Sequence, residues 1–373
     1  MKNDNHEEGI SFSANKIFYN SEMRFCRSFS SLAIGVIGEK LDVLDGFCAS
    51  GIRGIRYAKE NKNVRSVTFL DWSKNATALA KKNAVKNKIK KARFANEDAV
   101  KFLVGGAEES DFDVNFIELD PFGTPAPYLF AVFFRMNENR KKTFYLSATA
   151  TDTAVLCGHE KTACVKNYHA KSLNNEFTHE NGMRILLRRI SEAAAEFNFG
   201  ITPLVSLSDR HYLKVIVKCE SGAEKSDESI GNFGYISYCE KCGWRESGKK
   251  IIEKCGNCAN ITVWGGPLWI GKLQDKETIS KMRERNNKKE YEDAEEIEKT
   301  LALIEGEIEM PPGYYNVHKM CKRISMKSVP KMSRIIEELD ADGFRTVRTH
   351  FSDISLKSSA TIDVIEKVIR QLR

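Results

Sequence analysis

Short apolar segments alternate with amphipathic helical stretches from Leu41 to about Val217, and this alternation constrains the fold more than any other feature. Buried strands are predicted where the segments are rich in aliphatic residues, at residues 41–44, 67–70, 93–96, 114–119, 143–147, 202–207 and 212–217. Strands that alternate with helices form a doubly wound sheet. Residues 208–210 are a connection short enough for the last two strands to pair as an antiparallel hairpin. The sequence therefore predicts a Rossmann-like α/β sheet that ends in an antiparallel pair.

The chain of 373 residues is too long for one ordinary hydrophobic core, so two domains are expected. Gly, Ser and charged residues at 221–232 indicate a linker. The linker divides the chain into predicted domains of residues 1–225 and 226–373. A charged helical stretch at residues 275–304 is followed by a small helical unit that has room for a wing. We therefore expect the smaller C-terminal domain to be α+β.

No apolar run approaches the roughly 20 residues that a membrane-spanning helix needs. Residues 1–9 are polar and of mixed charge, unlike a secretory signal peptide. We therefore expect a cytoplasmic protein without membrane contact, and nothing in the sequence indicates a protein partner.

Lysines and arginines gather in four clusters, although the net charge of the chain is only +7. The clusters lie at residues 81–93, 135–142, 184–189 and 281–289. Basic patches favour a polyanionic partner, since each contact with a phosphate releases counterions. Solvated helix faces would produce the same clusters, and the charge pattern alone leaves both interpretations open.

Three carboxylates follow predicted strands at the edge where open α/β sheets bind ligands. Asp45 begins a turn of small residues that includes Gly51, so backbone and a helix N-terminus can approach a ligand. Asp71 ends the second strand, where an acid can accept hydrogen bonds from ribose hydroxyls, and Asp98 ends the third, where an acid can hold an adenine amino group. The pattern predicts a nucleotide-like cofactor. A tight turn and a helix cap remain the alternatives, and a NAD-dependent dehydrogenase would share this layout.

The sequence Asp-Pro-Phe-Gly-Thr-Pro at residues 120–125 directly follows the fourth strand. An aromatic amine is a poor nucleophile because its lone pair is delocalised into the ring. A carboxylate that accepts its N–H draws the lone pair out and can take the proton, which is the role expected of Asp120. Pro121 stiffens the loop, and Phe122 can stack on a base. The loop predicts methylation of an amine, with a simple Pro/Gly-rich turn as the alternative.

Four of the ten cysteines lie within twenty residues, as two Cys-x-x-Cys pairs separated by twelve residues. Each pair is a turn that brings two thiolates to one ion, and two pairs complete a tetrahedral shell. The pattern predicts a structural zinc ribbon at about residues 235–265, with Cys239, Cys242, Cys255 and Cys258 as the zinc ligands.

These motifs resemble those of the tRNA guanine-26 N2-dimethyltransferases of archaea and eukaryotes over nearly the whole chain. The shared segments are Phe-Tyr-Asn at 18–20, the turn at 51–56, the loop at 120–127, the stretch at 149–158, His-Tyr at 211–212, Gly-Pro-Leu-Trp at 266–269 and Arg-Thr-His-Phe at 348–351. The resemblance implies a class I methyltransferase domain, S-adenosylmethionine as methyl donor and tRNA as partner. One departure is that the family usually has an acid after Arg27, where this chain has Ser28.

The resemblance also assigns roles to individual residues. It implies that Arg27, Arg53, Asp71, Asp98 and Ala99 line the cofactor pocket and that Asp120 is the catalytic acceptor. His211, Arg348 and His350 would contact tRNA. Two other functions stay open at this point: an amino methyltransferase for ribosomal RNA or DNA, and a catalytically decayed RNA-binding protein. The sequence does not distinguish one methyl addition from two.

Overall fold

The computed structural model describes residues 5–14, 17–105, 113–288 and 291–372. An N-terminal hairpin is formed by β1 (Asn5–Glu7) and β2 (Ile10–Phe12), and helix α1 (Arg24–Ile34) follows it. Asn83 holds the segment after the hairpin against the rest of the domain, since its side-chain amide bonds both backbone groups of Ser13, at 3.0 and 2.8 Å.

A seven-stranded sheet forms the centre of the described N-terminal part, in the order β5-β4-β3-β6-β7-β9-β8. Its strands are β3 (Leu41–Asp45), β4 (Val64–Leu70), β5 (Ala92–Ala95), β6 (Phe116–Leu119), β7 (Thr143–Ala150), β8 (Phe199–Asp209) and β9 (Tyr212–Ser221). The first five are parallel, and β9 is antiparallel to both β7 and β8. The predicted strands and their terminal antiparallel pair are confirmed.

Helices cover both faces of this sheet, as the alternation predicted. They are α2 (Ile52–Glu60), α3 (Lys74–Lys86), α4 (Ala99–Val104), α5 (Ala126–Glu138), α6 (Thr153–Leu156), α7 (Lys161–Tyr168) and α8 (Thr178–Ala195). Helix α8 is buried on most of its surface, which explains its run of apolar and small residues. Because strands β3, β4 and β6 are parallel neighbours, the residues that follow them meet at one edge.

The predicted linker at residues 221–232 is wrong, because this segment contains helix α9 (Ala223–Ile230), which packs on β8. Ser229 accepts the Ile201 N–H at 2.7 Å and donates to the Ile201 carbonyl at 3.2 Å. The buried side of α9 carries serines instead of large apolar residues, so its composition resembled that of a flexible segment. The division into domains at residue 225 stays a prediction.

The C-terminal part contains two small antiparallel sheets and five helices among its described residues. The first sheet has the order β11-β10-β12 and the second β13-β15-β14, which confirms the α+β class. The elements are β10 (Phe233–Tyr238), β11 (Arg245–Gly248), β12 (Val263–Trp269), α10 (Lys276–Asn286), α11 (Ala294–Glu307), β13 (Tyr315–Asn316), α12 (Val317–Arg323), α13 (Met332–Ala341), β14 (Thr346–Thr349), β15 (Ser352–Ser358) and α14 (Ile362–Gln371). Across the described ranges, no helix has the length and apolar character to cross a membrane.

The charged helical stretch predicted at residues 275–304 forms a pair of helices, α10 and α11, that shares a core with the N-terminal part. Ile279 and Leu301 belong to the same buried cluster as Phe29 of α1. Arg285 reinforces the contact by donating to the Gly35 carbonyl at 3.2 Å. These helices therefore stabilise the α1 side of the sheet.

The four basic clusters differ in how far their side chains are exposed to solvent. Arg184 and Arg188 are buried and pair with Glu180 and Glu192, so the cluster at residues 184–189 is not the surface patch that its composition indicated. Arg135 is also buried. Most lysines at residues 81–93 and 281–288 are exposed, and residue 289 lies outside the described ranges. The basic residues therefore serve both packing and surface charge.

A buried ion cluster joins α8 to the C-terminal part. The Glu180 carboxylate accepts from Arg184 at 2.8 Å and from Lys357 of β15 at 2.8 Å, and all three side chains are almost fully buried. Burial alone would raise the pKa of Glu180, but the two cations outweigh it and lower this pKa to about 2. The carboxylate is therefore ionised, and its ion pair with Lys357 connects α8 to β15 of the C-terminal part.

Replacing Lys357 by methionine is expected to lower the free energy of unfolding by about 1.5–3 kcal/mol, because the buried Glu180 carboxylate loses one of its two charge-assisted hydrogen-bond partners. Chemical denaturation measures the change, and Lys319→Met, at an exposed lysine of α12, is the matched control with an expected effect within about 0.5 kcal/mol. Because the Glu180 pKa falls from its ordinary 4.5 to about 2, its contribution is present above pH 4.5 and lost as the pH falls toward 2. Equal stability of the two lysine variants would contradict the prediction.

Candidate active site and metal centre

A cavity of about 360 Å³ lies at the carboxyl ends of β3, β4 and β6, the edge predicted to bind a ligand. Residues of the N-terminal segment and of four strand-to-helix turns line it. They are Ile17, Phe18, Tyr19, Asn20, Met23, Arg27, Phe47, Cys48, Ala49, Ser50, Ile52, Arg53, Asp71, Trp72, Ser73, Ala76, Asp120, Pro121, Phe122 and Thr151. The cavity thus brings together six of the residues predicted for cofactor binding and catalysis: Arg27, Arg53, Asp71, Asp120, Pro121 and Phe122.

The turn after β3 presents backbone to the cavity. Ala49 and Gly51 have positive φ angles of 45° and 80°, and a Cβ on Gly51 would lie 3.0 Å from that of Ala80. Gly51 is the cap residue before α2, so the helix N-terminus faces the cavity. Asp45 lies beneath the turn, where it accepts the Gly54 N–H at 3.1 Å and where burial raises its pKa to about 7. Asp45 and Gly51 therefore shape the turn without lining the cavity.

The Asp71 carboxylate connects this turn with the end of β4. Its Oδ2 accepts the Ala49 N–H at 3.0 Å and its Oδ1 accepts the Ser73 N–H at 2.9 Å. Each oxygen keeps a second lone pair for hydroxyl donors in the cavity. The indole of Trp72, which is 80% exposed, offers a flat apolar surface beside the carboxylate. A hydroxyl acceptor, an aromatic surface and a helix N-terminus match the ribose, adenine and carboxylate groups of S-adenosylmethionine.

Asp98 and Ala99 lie outside the residues that line the cavity. Asp98 caps α4 by accepting the N–H groups of Val100 and Lys101, at 3.0 and 3.1 Å. Ala99 is buried in the core. Asp98 is thus a helix cap, and a role for Asp98 and Ala99 in cofactor binding stays a prediction.

The Asp120 carboxylate lies in the cavity and pairs with the buried guanidinium of Arg53. Burial alone would raise the pKa of Asp120, but Arg53 and Lys214, together with a hydrogen bond from Thr149, hold this pKa below its ordinary value. Asp120 is therefore a carboxylate at neutral pH. It can accept a hydrogen bond from a substrate N–H through a lone pair that Arg53 does not use.

A group of buried charged and polar side chains lies close to Asp120. Lys214 of β9 donates to Glu118 Oε1 at 2.6 Å and to Thr149 Oγ1 at 3.0 Å. The Tyr57 hydroxyl donates to Glu118 Oε2 at 2.7 Å. Sequence reasoning missed this network, although a Glu and a Lys within otherwise apolar buried strands were a detectable signal.

Arg27 is held in place by Glu7 of the N-terminal hairpin. Its Nε donates to Glu7 Oε2 at 2.9 Å, and its Nη2 also bonds Glu7 and the Asn20 carbonyl. Tyr19 and Arg56 bond the same carboxylate, at 2.8 and 3.2 Å. The chain lacks an acid directly after Arg27, and here a carboxylate distant in sequence partners the guanidinium. Glu7 was not predicted, because only the fold brings it to Arg27.

The three residues predicted to contact tRNA lie away from the cavity lining. His211 is exposed in the turn between β8 and β9. Arg348 is exposed and donates to the Asp353 carbonyl at 3.0 Å. The His350 imidazole is buried and contacts Glu307 through Nδ1 at 2.8 Å. His211 and Arg348 are therefore accessible to a large substrate, and the side chain of His350 helps to hold β14 against α11.

The four predicted cysteine ligands converge at one point, with all their Sγ atoms within 4.8 Å of one another. Two Sγ pairs, Cys239–Cys258 and Cys242–Cys255, are each 3.5 Å apart. Four sulfurs at about 2.3 Å from a tetrahedral zinc would lie roughly 3.8 Å apart, so the arrangement fits the ion. The cluster can bind a structural metal such as zinc, which would join the β10–β11 turn to the segment before β12.

Comparison with known proteins agrees with these features. Residues 2–370 match the family described as N2,N2-dimethylguanosine tRNA methyltransferase. The chain is 34% identical over 364 residues to a tRNA (guanine(26)-N(2))-dimethyltransferase of Methanobrevibacter smithii, covering 95% of this chain and 92% of the relative. It is 35% identical over 366 residues to a tRNA (guanine(26)-N(2)/guanine(27)-N(2))-dimethyltransferase of Aquifex aeolicus, covering 95% and 90%. The solved structure of Trm1 from Pyrococcus horikoshii with S-adenosyl-L-methionine superposes with a TM-score of 0.88 at 30% identity, covering 98% of this chain and 99% of that one.

Proposed function

Because the chain belongs to the N2,N2-dimethylguanosine tRNA methyltransferase family, we propose that it transfers methyl groups from S-adenosylmethionine to N2 of guanine 26 in tRNA, giving N2,N2-dimethylguanosine. The observation that carries this proposal is the Asp120 carboxylate, which Arg53 keeps ionised inside a cavity that also contains Asp71. The proposal includes tRNA as the partner and the cytoplasm as the place of action, since tRNA is used there.

S-adenosylmethionine supplies a methyl group on a sulfonium, which is an excellent leaving group. Asp71 would accept its ribose hydroxyls, and the α2 N-terminus would face its carboxylate. Arg27, restrained by Glu7, borders the same cavity. These residues bind and orient the donor, and this positioning accounts for much of the rate in such a transfer.

Asp120 would accept an N–H of the guanine amine and draw the nitrogen lone pair out of conjugation. As nitrogen gains the methyl group, Asp120 takes the released proton. The Arg53 guanidinium restrains the carboxylate, so its free lone pair remains aimed into the cavity. The same geometry serves a second methylation once the monomethylated amine has rotated.

Two exposed phenylalanines border the cavity where a base would enter. Phe18 and Phe122 are 57% and 77% exposed, and their rings meet edge to face with centroids 4.7 Å apart. Large exposed apolar rings at the entrance of this cavity favour an aromatic substrate, because stacking on a base is worth about 1–3 kcal/mol. We propose that these two rings stack on the target guanine, which must leave the tRNA helix to reach Asp120.

Incubation with labelled S-adenosylmethionine and unmodified tRNA, followed by digestion to nucleosides, tests this function. The expected product is N2,N2-dimethylguanosine, and a guanine-26-to-adenine transcript should abolish labelling. A guanine-27-to-adenine transcript is the matched control, and loss of label there instead would reassign the position. Methylation of only ribosomal RNA or DNA, or cofactor binding without transfer, would refute the proposal in favour of the two remaining alternatives.

Replacement of Asp71 by alanine is expected to raise the Kd for S-adenosylmethionine about 10- to 100-fold, because hydrogen bonds to a charged group contribute roughly 1.5–3 kcal/mol. Isothermal titration calorimetry measures the change. Glu97→Gln, at an exposed acid outside the cavity lining, is the control with an unchanged Kd. Equal Kd values for wild type and Asp71→Ala would remove Asp71 from the binding site.

A further inference from the structure

The catalytic loop, residues 120–125, is attached to the segment that follows β7. The Thr151 N–H donates to the Gly123 carbonyl at 2.9 Å, and the Gly123 N–H donates to Thr151 Oγ1 at 2.8 Å. Gly123 has a φ of 79°, a left-handed conformation that favours glycine. Thr151, within the segment 149–158, thus holds the middle of the loop.

A second attachment runs through a side chain of α7. The hydroxyl of Tyr168, which is fully buried, donates to Asp152 Oδ1 at 2.7 Å. Asp152 directly follows Thr151, the residue that bonds Gly123 of the loop. The loop is therefore connected through Thr151 and the adjacent Asp152 to Tyr168 of α7.

The Asp152 side chain has few other restraints. Its Oδ2 is buried without a hydrogen-bond partner among the described residues. Neither Asp152 nor Tyr168 lines the cavity, so neither is placed to touch a substrate or donor bound there. The Tyr168 hydroxyl therefore orients the Asp152 carboxylate, and a buried hydrogen bond of this kind rigidifies the segments that it connects.

We propose that Tyr168 and Asp152 are positioning residues that hold the catalytic loop so that Asp120 faces the guanine amine. This inference rests on the proposed function. Gly123, which Thr151 holds, is three residues from Asp120, and a displacement of about 1 Å at a reacting group can cost roughly 100-fold in rate. The expected contribution is to the rate of methyl transfer, with binding of donor and tRNA unaffected.

Tyr168→Phe removes only the hydroxyl and keeps the buried ring. At saturating donor and tRNA, its single-turnover rate should fall about tenfold or more, while both Kd values change less than about twofold. Asp152→Ala should show the same loss, whereas Asp152→Asn, which keeps the acceptor oxygen, should retain most of the rate. The double variant Tyr168→Phe/Asp152→Ala should be no slower than either single variant, because both remove one connection.

Tyr145→Phe is the matched control. Tyr145 lies in β7 near the opposite end of the strand, and its hydroxyl donates to Glu39 at 2.9 Å, so this variant removes an equivalent bond far from the loop. Its single-turnover rate should equal that of wild type. If Tyr168→Phe does not fold, Asp152→Ala removes the same hydrogen bond from its other partner and should show the same rate loss.

Two results would overturn the inference: a Tyr168→Phe rate equal to that of Tyr145→Phe, or a loss confined to the Kd values. Either result counts only if the wild-type protein, measured in parallel, produces N2,N2-dimethylguanosine. A wild-type protein without transfer activity refutes the proposed function, whereas an active wild type with an equally active Tyr168→Phe variant refutes only the positioning role.

Discussion

Asp120→Ala is expected to lower the rate of methyl transfer about a thousandfold, within the range of roughly 10²–10⁴ that one acid–base group contributes. The variant removes the Asp120 carboxylate, which lies in the cavity directly after β6 and is the proposed acceptor of the amine proton. Quantifying dimethylguanosine by mass spectrometry of digested tRNA measures the loss. The Kd for S-adenosylmethionine should change at most a few-fold, since Asp71 and the α2 turn are untouched.

Asp120→Asn separates charge from hydrogen bonding at the same position. Its amide oxygen still accepts an N–H, but it takes no proton and leaves the Arg53 guanidinium without its ion pair. We expect an intermediate rate and a loss of stability, because a buried cation loses its counter-charge. Near-normal turnover of the alanine variant would contradict the role given to Asp120.

Removal of zinc is expected to unfold the ribbon, since structural zinc contributes about 10–16 kcal/mol of folding free energy in small zinc domains. Metal analysis of the purified chain should find one zinc per molecule. Chelation or Cys239→Ser should then weaken tRNA binding about tenfold or more, while donor binding changes little because the cavity is built from other elements. Filter binding and calorimetry measure the two affinities.

Cys321→Ala is the control for the cysteine variant. Cys321 is buried in α12, outside the four-cysteine cluster, so its replacement should leave one zinc bound and tRNA affinity unchanged. Purified protein that contains no zinc would refute the assignment of a zinc site to the four cysteines. Equal losses of tRNA and donor affinity after chelation would show instead that the ribbon stabilises the whole chain.

The central sheet could be predicted because its signal is local. Each strand from β3 to β9 is a short apolar run, and the spacing of the runs left room for helices between them. The same reasoning failed at α9, whose buried face uses Ser226 and Ser229. Small polar residues carry no hydrophobic periodicity, so only the hydrogen bonds made after folding reveal that this segment is a helix.

Part of the cavity was also predictable from strand ends. Asp71 and Asp120 follow parallel strands directly, and parallel strands deliver their carboxyl ends to one edge. Glu7, Phe18 and Lys214 could not be placed in this way. They reach the site from an N-terminal hairpin, a loop and a strand of the antiparallel pair, whose distances from Asp120 in sequence say nothing of their distance in space.

By itself, the sequence determined the type of sheet, the spacing of the four clustered cysteines and the carboxylate that follows β6, because each depends on residues close together in the chain. Tertiary structure alone decided the surroundings of these groups. Arg53 pairs with Asp120, Tyr168 bonds Asp152, and Glu180 of α8 pairs with Lys357 of β15. Ion pairs and buried hydrogen bonds act over a few ångströms, so they depend on how distant segments pack and have no signature in local sequence.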